Sequence, residues 1–212
     1  MNPSQLYIIT APSGTGKTTL IKRAIKEIDH LGVSISYTTR SPRASEHDGQ
    51  SYYFIDDATF QDKIKQGEFV EHAKVYEHYY GTAWQDLVSL RSQEKDVILE
   101  IDYQGAINIQ KIIPEAISIF ILPPSYQALK DRLSSRAEDS QDTINLRLER
   151  ASDEMKKAPE FDYIVFNEDM DQAFYSIRSI IEAQRLKWRS LRIEQLKVLE
   201  SLTNDGIIKD SK

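Results

Sequence analysis

Near its amino terminus the chain reads Ala11-Pro12-Ser13-Gly14-Thr15-Gly16-Lys17-Thr18, directly after the short apolar run Leu6-Tyr7-Ile8-Ile9. The octapeptide matches the phosphate-loop pattern G-x-x-x-x-G-K-[ST], except that alanine stands at the first glycine position. The apolar run predicts a buried strand, and apolar residues at helical spacing after the loop predict a helix to about residue 32. A loop between a strand and a helix can turn backbone N–H groups and the positive end of the helix dipole toward phosphate. We therefore expect a phosphate-binding site here.

Individual residues of this loop have separate expected roles. Lys17 can reach the β- and γ-phosphates of ATP, and the Thr18 hydroxyl can bind Mg²⁺. Alanine is tolerated at position 11 if the backbone there keeps a negative φ. The residues predicted to bind ATP in this segment are Ala11, Pro12, Ser13, Gly14, Thr15, Gly16, Lys17 and Thr18. The motif alone does not choose among ATPases, GTPases and kinases, but the guanine-reading N-K-x-D tetrapeptide of GTPase switches is absent.

The rest of the chain alternates between strand-like and helical patterns. Further strands are predicted at residues 33–39, 97–101, 117–122 and 163–166. Helices are predicted at residues 103–113, 127–157 with a break near 137–142, and 171 to beyond 188. The aromatic-rich stretch from residue 40 to about 84 contains one short helix near 58–67 and is interpreted as an insertion with its own sheet. This order predicts an α/β fold, in which a mainly parallel sheet is flanked by helices and carries a small mixed-sheet insertion.

Composition limits the classes of partner. The 212 residues carry a formal net charge of −6 and contain no cysteine. This charge and a sequence pI near 5.3 argue against broad binding to nucleic acid or anionic membranes. The first residues lack a signal-peptide pattern, and no apolar run approaches the roughly 20 residues of a membrane-spanning helix. We expect a cytoplasmic protein that binds neither nucleic acid nor membrane.

Ordered motifs beyond the phosphate loop resemble those of the guanylate kinase family of the bacterial type. They are Ser36-Tyr37-Thr38-Thr39-Arg40-Ser41-Pro42-Arg43, Gly49-Gln50-Ser51-Tyr52-Tyr53-Phe54, Phe69-Val70-Glu71, Tyr79-Tyr80-Gly81-Thr82, Ile98-Leu99-Glu100-Ile101-Asp102-Tyr103-Gln104-Gly105 and Ile119-Phe120-Ile121-Leu122-Pro123-Pro124. With the phosphate loop and the flanking pattern included, the resemblance covers roughly residues 6–190 in the order and spacing of the family. The resemblance implies one guanylate-kinase-like unit: a phosphate-loop core at 1–35 and 91–212, a GMP-binding insertion at 36–90 and a lid at about 136–147.

The resemblance also implies a reaction. The expected activity is transfer of the γ-phosphoryl group of MgATP to GMP, and also to dGMP, giving ADP and GDP in purine nucleotide metabolism. The GMP-binding residues that it implies are Ser36, Arg40, Arg43, Tyr52, Glu71, Tyr80, Thr82 and Asp102. Guanidinium groups suit phosphate because they are planar and permanently charged. Glu71 would read guanine, because a carboxylate can accept the N1–H and N2–H bonds that adenine cannot offer.

Further arginines and one asparagine are implied for ATP and for catalysis. The resemblance assigns Arg132 and Asn167 to the adenine side of ATP, and Arg136 and Arg147 to the phosphates. The catalytic residues implied are Lys17, Arg40, Arg136 and Arg147. Ala137 replaces a common lid glycine, and Glu100 stands where aspartate is frequent. The GMP phosphate is largely dianionic at neutral pH, with a second pKa of about 6, so no general base is required.

Two alternative functions stay open. One is a catalytically silent interaction module, since scaffolding proteins similar to this family bind phosphorylated peptides in the GMP cleft. The other is a kinase for a different nucleoside monophosphate, which Glu71 and the Ser36 hydroxyl disfavour.

The four histidines have no metal-ligand spacing. The long amphipathic helix near the carboxyl terminus can pack within the monomer or against a partner, and of the two a homodimer is expected.

Overall fold

The structure, a computed structural model, describes residues 4–75, 77–134, 141–187 and 190–203. Its strands are β1 (Leu6–Thr10), β2 (Leu31–Ser34), β3 (Tyr37–Thr38), β4 (Tyr53–Phe54), β5 (Phe69–Val75), β6 (His78–Ala83), β7 (Asp96–Glu100), β8 (Ile117–Leu122) and β9 (Tyr163–Phe166). Its helices are α1 (Lys17–Glu27), α2 (Asp57–Lys65), α3 (Trp84–Ser92), α4 (Tyr103–Ile112), α5 (Tyr126–Ser134), α6 (Gln141–Met155), α7 (Met170–Arg185) and α8 (Ile193–Leu202). No helix in these ranges has the length and apolar character needed to cross a membrane.

The larger sheet is parallel and has the strand order β2-β7-β1-β8-β9. Successive residues of a strand point to opposite faces. Tyr7 and Ile9 therefore pack on the face covered by α1 and α7, whereas Ile8 packs on the face covered by α3 and α4. Because both faces are covered, every residue of β1 is buried, as in other parallel sheets. The predicted fold class is confirmed.

The smaller sheet is mixed and has the order β4-β3-β6-β5. Strand β3 is parallel to β4 and antiparallel to β6, which is also antiparallel to β5. Phe60 of α2 stacks on Phe69 with ring centroids 4.6 Å apart, and Ala83 completes a separate small core. Helix α2 is capped by Asp56, whose side chain accepts a hydrogen bond from the backbone N–H of Thr59. This sheet lies within the predicted insertion; the boundaries 36–90 stay a prediction.

The two sheets meet where β5 packs against α4. Val70 of β5 is buried in the same apolar cluster as Ala106 and Ile109 of α4. The pairing of β5 with β6 shifts register between Phe69 and Glu71. Such a bulge re-aims side chains, so the consecutive residues Val70 and Glu71 can both approach α4. The bulge therefore brings a carboxylate of the smaller sheet to a helix of the larger one.

Two predictions from the amino-terminal half were wrong. Residues 33–39 were predicted as one strand, but β2 ends at Ser34 in the larger sheet and β3 begins at Tyr37 in the smaller one. Alternation of apolar and polar residues continues across the junction, so it does not reveal that the strand changes partners. Helix α1 ends at Glu27, short of residue 32, because β2 already begins at Leu31.

In the carboxyl-terminal half, the helix predicted to run beyond residue 188 ends at Arg185, and α8 follows separately. The apolar pattern continues to Leu186, but that side chain is 73% exposed and finds no core. Helices α3 and α8 were not predicted from the sequence. Residues 136–140 of the predicted lid lie outside the described ranges, whereas its remainder, 141–147, forms the start of α6. The predicted tail after Thr203 also lies outside the described ranges.

Candidate active site

The phosphate loop follows the carboxyl end of β1 and requires glycine at two positions. Gly14 and Gly16 have φ values of +92° and +93°, in the left-handed region that disfavours a Cβ. A Cβ at Gly14 would also lie 3.1 Å from Leu133 of α5, and one at Gly16 would lie 2.8 Å from the Asn167 side-chain nitrogen. Within the described residues, positive φ outside glycine occurs only at His30 and Glu94. The backbone at Ala11, which stands where the pattern has its first glycine, is therefore unstrained.

Buried hydrogen bonds hold the backbone of this loop. The fully buried Thr15 donates its hydroxyl to the Pro12 carbonyl at 2.6 Å. Asn167, which is 1% exposed, donates from Nδ2 to the Thr15 carbonyl at 2.6 Å. Arg132 of α5 donates to the Thr15 and Asn167 carbonyls, both at 3.4 Å. Asn167 and Arg132, predicted to bind ATP, are thus brought to the loop; contact with adenine stays a prediction.

The side chains of the first residues of α1 lie at the carboxyl edge of the larger sheet. The helix begins after Gly16 without a side-chain cap, so its first N–H groups are not taken by a side-chain oxygen. Lys17 Nζ donates to the Ile101 carbonyl at 3.1 Å. Thr18 Oγ1 donates to Glu100 Oε1 at 2.5 Å. The predicted lysine and hydroxyl therefore lie beside the end of β7.

A cavity of about 180 Å³ lies between the two sheets. Its walls come from α1, β7 and α4 of the larger sheet's layer and from β5 and β6 of the smaller sheet. The lining residues are Lys17, Ser36, Tyr52, Glu71, Ala73, Val75, Tyr80, Glu100, Ile101, Asp102 and Gly105. The structure thus brings Lys17 of the phosphate loop together with five of the residues predicted to bind GMP.

Glu71 lies in the wall of this cavity and is 6% exposed. Burial raises its pKa to about 7; hydrogen bonds from Thr82 oppose this shift, and the charge of Asp102 adds to it. The Thr82 hydroxyl is fully buried behind the cavity wall and donates to Glu71 Oε1 at 2.9 Å. Asp102 caps α4 by accepting the Gly105 N–H at 2.8 Å. Glu71 is therefore a buried carboxyl that further hydrogen-bond donors would stabilise in its charged form.

A second polar group surrounds Arg40, which lies beside the cavity-lining residues Tyr52 and Tyr80. Arg40 donates from Nη2 to both carboxylate oxygens of Glu46, at 2.8 and 2.9 Å. Burial acts to lower the pKa of Arg40, but hydrogen bonds to Glu46 and Tyr80 raise it overall. The rings of Tyr52 and Tyr80 lie 5.9 Å apart, and burial raises the pKa of Tyr52 to about 12. This phenol therefore keeps its proton at neutral pH and can donate a hydrogen bond to an anion.

None of the predicted arginines that the structure describes is among the residues that line the cavity. Arg43 is exposed at the rim, where its backbone N–H donates to Glu46. Arg147 is half-buried on α6. This helix packs against α5, whose Leu133 lies beside Gly14 of the phosphate loop. Arg136 lies outside the described residues. Roles for Arg43, Arg136 and Arg147 at the substrates therefore stay predictions.

Sequence reasoning missed two acidic residues of the site. Glu46 orients Arg40, and only its position within the arginine-bearing loop could have indicated it. Burial raises the pKa of Glu154 on α6 to about 7, with Asp102 raising it further and Lys17 and Arg150 lowering it. Helical periodicity places Glu154 on the same face of α6 as Arg147. This spacing could have indicated Glu154 from the sequence. The site is thus more acidic than the motifs suggested.

Comparisons with known proteins agree with this geometry. A family model described as guanylate kinase matches residues 3–184. The chain is 47% identical over 197 residues to a guanylate kinase of Hahella chejuensis, with 93% of each chain covered. It is 46% identical over 187 residues to a guanylate kinase of Coxiella burnetii, covering 88% of this chain and 91% of the relative. A crystal structure of guanylate kinase from Anaplasma phagocytophilum superposes with a TM-score of 0.74 at 28% identity, over 94% of this chain and 95% of that one. The chain therefore belongs to the guanylate kinase family.

Proposed function

We propose that this protein transfers the γ-phosphoryl group of ATP to GMP, giving ADP and GDP. The observation that carries the proposal is that Lys17 of the phosphate loop and the buried Glu71 line the same cavity. One end of the cavity suits a polyphosphate, and the other suits a base that offers two N–H donors. A reaction that joins an ATP phosphate to a guanine nucleotide needs both ends in one cleft.

In this proposal the acceptor GMP lies between Arg40 and Glu71. Arg40 and the exposed Arg43 take its phosphate, with Tyr52 and Tyr80 adding hydroxyl donors. Glu71 accepts two hydrogen bonds from the guanine edge. Additional polar contacts to guanine are assigned to Ser36, Thr82 and Asp102. The Thr82 contact acts through Glu71, since its hydroxyl is donated to that carboxylate.

On the ATP side, the loop N–H groups and Lys17 take the β- and γ-phosphates. Arg132 and Asn167 support this side by holding the loop backbone. Because the GMP phosphate is already an anion, the chemical step depends on alignment and on positive charge rather than on a base. Lys17, Arg40, Arg136 and Arg147 supply that charge in our proposal. Movement of residues 36–90 and of a lid at about 136–147 excludes water from the transfer.

The donor atoms near Thr18 fit Mg²⁺. The Thr18 hydroxyl and the Glu100 carboxylate lie within hydrogen-bonding distance of each other at the end of the phosphate loop. Mg²⁺ commonly takes only one or two protein oxygens and completes its shell with water and substrate phosphates. We propose that Thr18 holds this ion with Glu100 beside it; when bound, Mg²⁺ neutralises charge on the ATP phosphates.

An acceptor panel separates this proposal from its rivals. Purified protein would be supplied with MgATP and, in turn, GMP, dGMP, AMP, UMP and CMP, while ADP formation is followed. We expect GMP to be the best acceptor and dGMP to be used as well. Rapid turnover with AMP or a pyrimidine monophosphate would favour a different monophosphate kinase. Absence of turnover with every acceptor would favour the phosphopeptide-binding module.

GMP binding is expected to weaken as pH falls through 7. The folded-state pKa of Glu71 is raised to about 7, so below that pH the carboxyl is protonated and must lose its proton to accept both guanine bonds. From pH 8 to 6.5, this linkage predicts a rise in Kd of about fourfold in the wild type. The GMP phosphate itself, with a pKa of about 6, contributes only about 1.3-fold.

The matched control for this pH effect is Glu71→Gln, which cannot titrate. Isothermal titration calorimetry at both pH values should show only the small phosphate contribution in the variant. Equal pH slopes in the two proteins would contradict the assignment of the titration to Glu71.

Cellular location and assembly are also proposed. We propose that the protein works in the cytoplasm, where ATP and GMP are both available. Helix α8 has no buried residue and exposes Ile193, Val198 and Leu202, which supports a homodimer. Light scattering on the protein as it elutes from a size-exclusion column would give its molecular mass, which tests whether it is a dimer.

A further inference from the structure

Gly105 lies in the first turn of α4, directly against the carboxylate of Glu71. A Cβ built on Gly105 would lie 2.9 Å from Glu71 Oε2 and 3.3 Å from Glu71 Cδ. The next nearest atom, the Ile101 Cβ, would be at an ordinary 3.5 Å. An alanine here would therefore disturb chiefly one group, the carboxylate assigned to guanine.

The helix itself gives no reason for glycine at this position. Gly105 is not among the glycines with positive φ, which are Gly14, Gly16, Gly49 and Gly67. Glycine within a helix is also less favourable than alanine by about 1 kcal/mol. The local backbone would thus prefer alanine, and the space that glycine leaves open is used by Glu71.

Glu71 has little freedom to move away from an added methyl group. Its Oε1 accepts the Thr82 hydroxyl at 2.9 Å, and the side chain is 6% exposed. Its neighbour Val70 is buried against Ala106 and Ile109, which fixes this part of β5 on α4. A methyl group at position 105 would either break the Thr82 bond or push the carboxylate into the cavity where the base is proposed to lie.

We propose that Gly105 is a specificity-determining position: its missing side chain lets the Glu71 carboxylate lie against α4 at the depth that accepts guanine. Gly105 lines the cavity but has no side chain to offer a substrate; it acts through Glu71, so it is a positioning residue. The inference rests on the proposed role of Glu71 and extends it to the helix of the larger sheet. It assigns base selection to the contact between the two sheets rather than to the smaller sheet alone.

The test is a double-mutant cycle of Gly105→Ala and Glu71→Ala, with Gln104→Ala as a control on the exposed side of the same turn. We expect Gly105→Ala to raise KM for GMP by about tenfold or more, as for a displaced charged hydrogen bond, with KM for ATP and kcat nearly unchanged. In the Glu71→Ala background the carboxylate is gone, and Gly105→Ala should leave KM for GMP unchanged. Gln104→Ala should match the wild type.

Melting temperatures give a second readout that does not depend on activity. Gly105→Ala should lower the melting temperature when Glu71 is present and raise it in the Glu71→Ala background, where alanine favours the helix and nothing obstructs its methyl group. A fall of the same size in both backgrounds, or an unchanged KM for GMP in Gly105→Ala, would overturn the inference. If Glu71→Ala alone left KM for GMP unchanged, the proposed function of Glu71 would fail, which is a distinguishable result.

Discussion

Replacing Lys17 by alanine is expected to lower kcat for phosphoryl transfer by about a thousandfold. Removal of one preorganised charge or donor from a transition state typically costs about 10²–10³ in kcat, and among the described residues that line the cavity Lys17 is the single basic one. The fold should survive, because Lys17 makes one hydrogen bond through its amine, to the Ile101 carbonyl, and alanine favours a helix. The measurement is steady-state ADP formation with GMP and MgATP at saturation, together with the thermal unfolding curve.

The control for this variant is Lys22→Ala, on an exposed position of the same helix. It removes the same charge and the same type of side chain but lies away from the cavity, so its kcat should stay near that of the wild type. A well-folded Lys17→Ala protein with near-normal turnover would refute the assignment of Lys17 to the transferred phosphate.

Replacing Glu71 by alanine is expected to raise KM for GMP by about a hundredfold or more, while KM for ATP changes little. The carboxylate would accept two hydrogen bonds from guanine, and hydrogen bonds to charged groups are each worth about 1.5–3 kcal/mol. Selectivity for GMP over AMP should fall along with it, since adenine cannot make those bonds. Initial rates with each substrate varied at saturating concentrations of the other give both constants.

Glu68→Ala is the charge-matched control for Glu71→Ala. Glu68 lies just before β5 and pairs with Lys63 at 2.7 Å, on a partly exposed surface. Its loss should leave both KM values close to those of the wild type. Equal losses in the use of GMP and ATP by Glu71→Ala would instead mean that Glu71 supports the structure of the cleft.

The phosphate loop could be predicted from sequence because its chemistry is local. Two glycines, the lysine and the threonine are close neighbours in the chain, and the loop lies between an apolar strand and a helix. Backbone sterics alone then explain the positive φ values of the two glycines and the tolerance of alanine at position 11. The resemblance to the family extended this prediction to Glu71, Tyr52 and Tyr80, which the fold brings into one cavity from separate strands and loops.

Contacts between distant segments could not be predicted in the same way. The approach of Gly105 to Glu71 depends on a bulge in β5 and on the packing of α4, neither of which leaves a periodic signal. Glu46 and Glu154 were missed because an acidic residue in a loop or helix usually lies in solvent. The single strand predicted at residues 33–39 failed for the related reason that alternation reports faces and not pairing partners.

In the proposed reaction one cleft holds ATP and GMP together, and a phosphoryl group passes directly between them. The most direct test supplies ATP labelled with ³²P at the γ-phosphate and follows the label by thin-layer chromatography. Direct transfer predicts that label leaves ATP only when GMP is added and that it appears in GDP. Label that stayed in ATP despite added GMP, or that appeared as inorganic phosphate rather than in GDP, would contradict it.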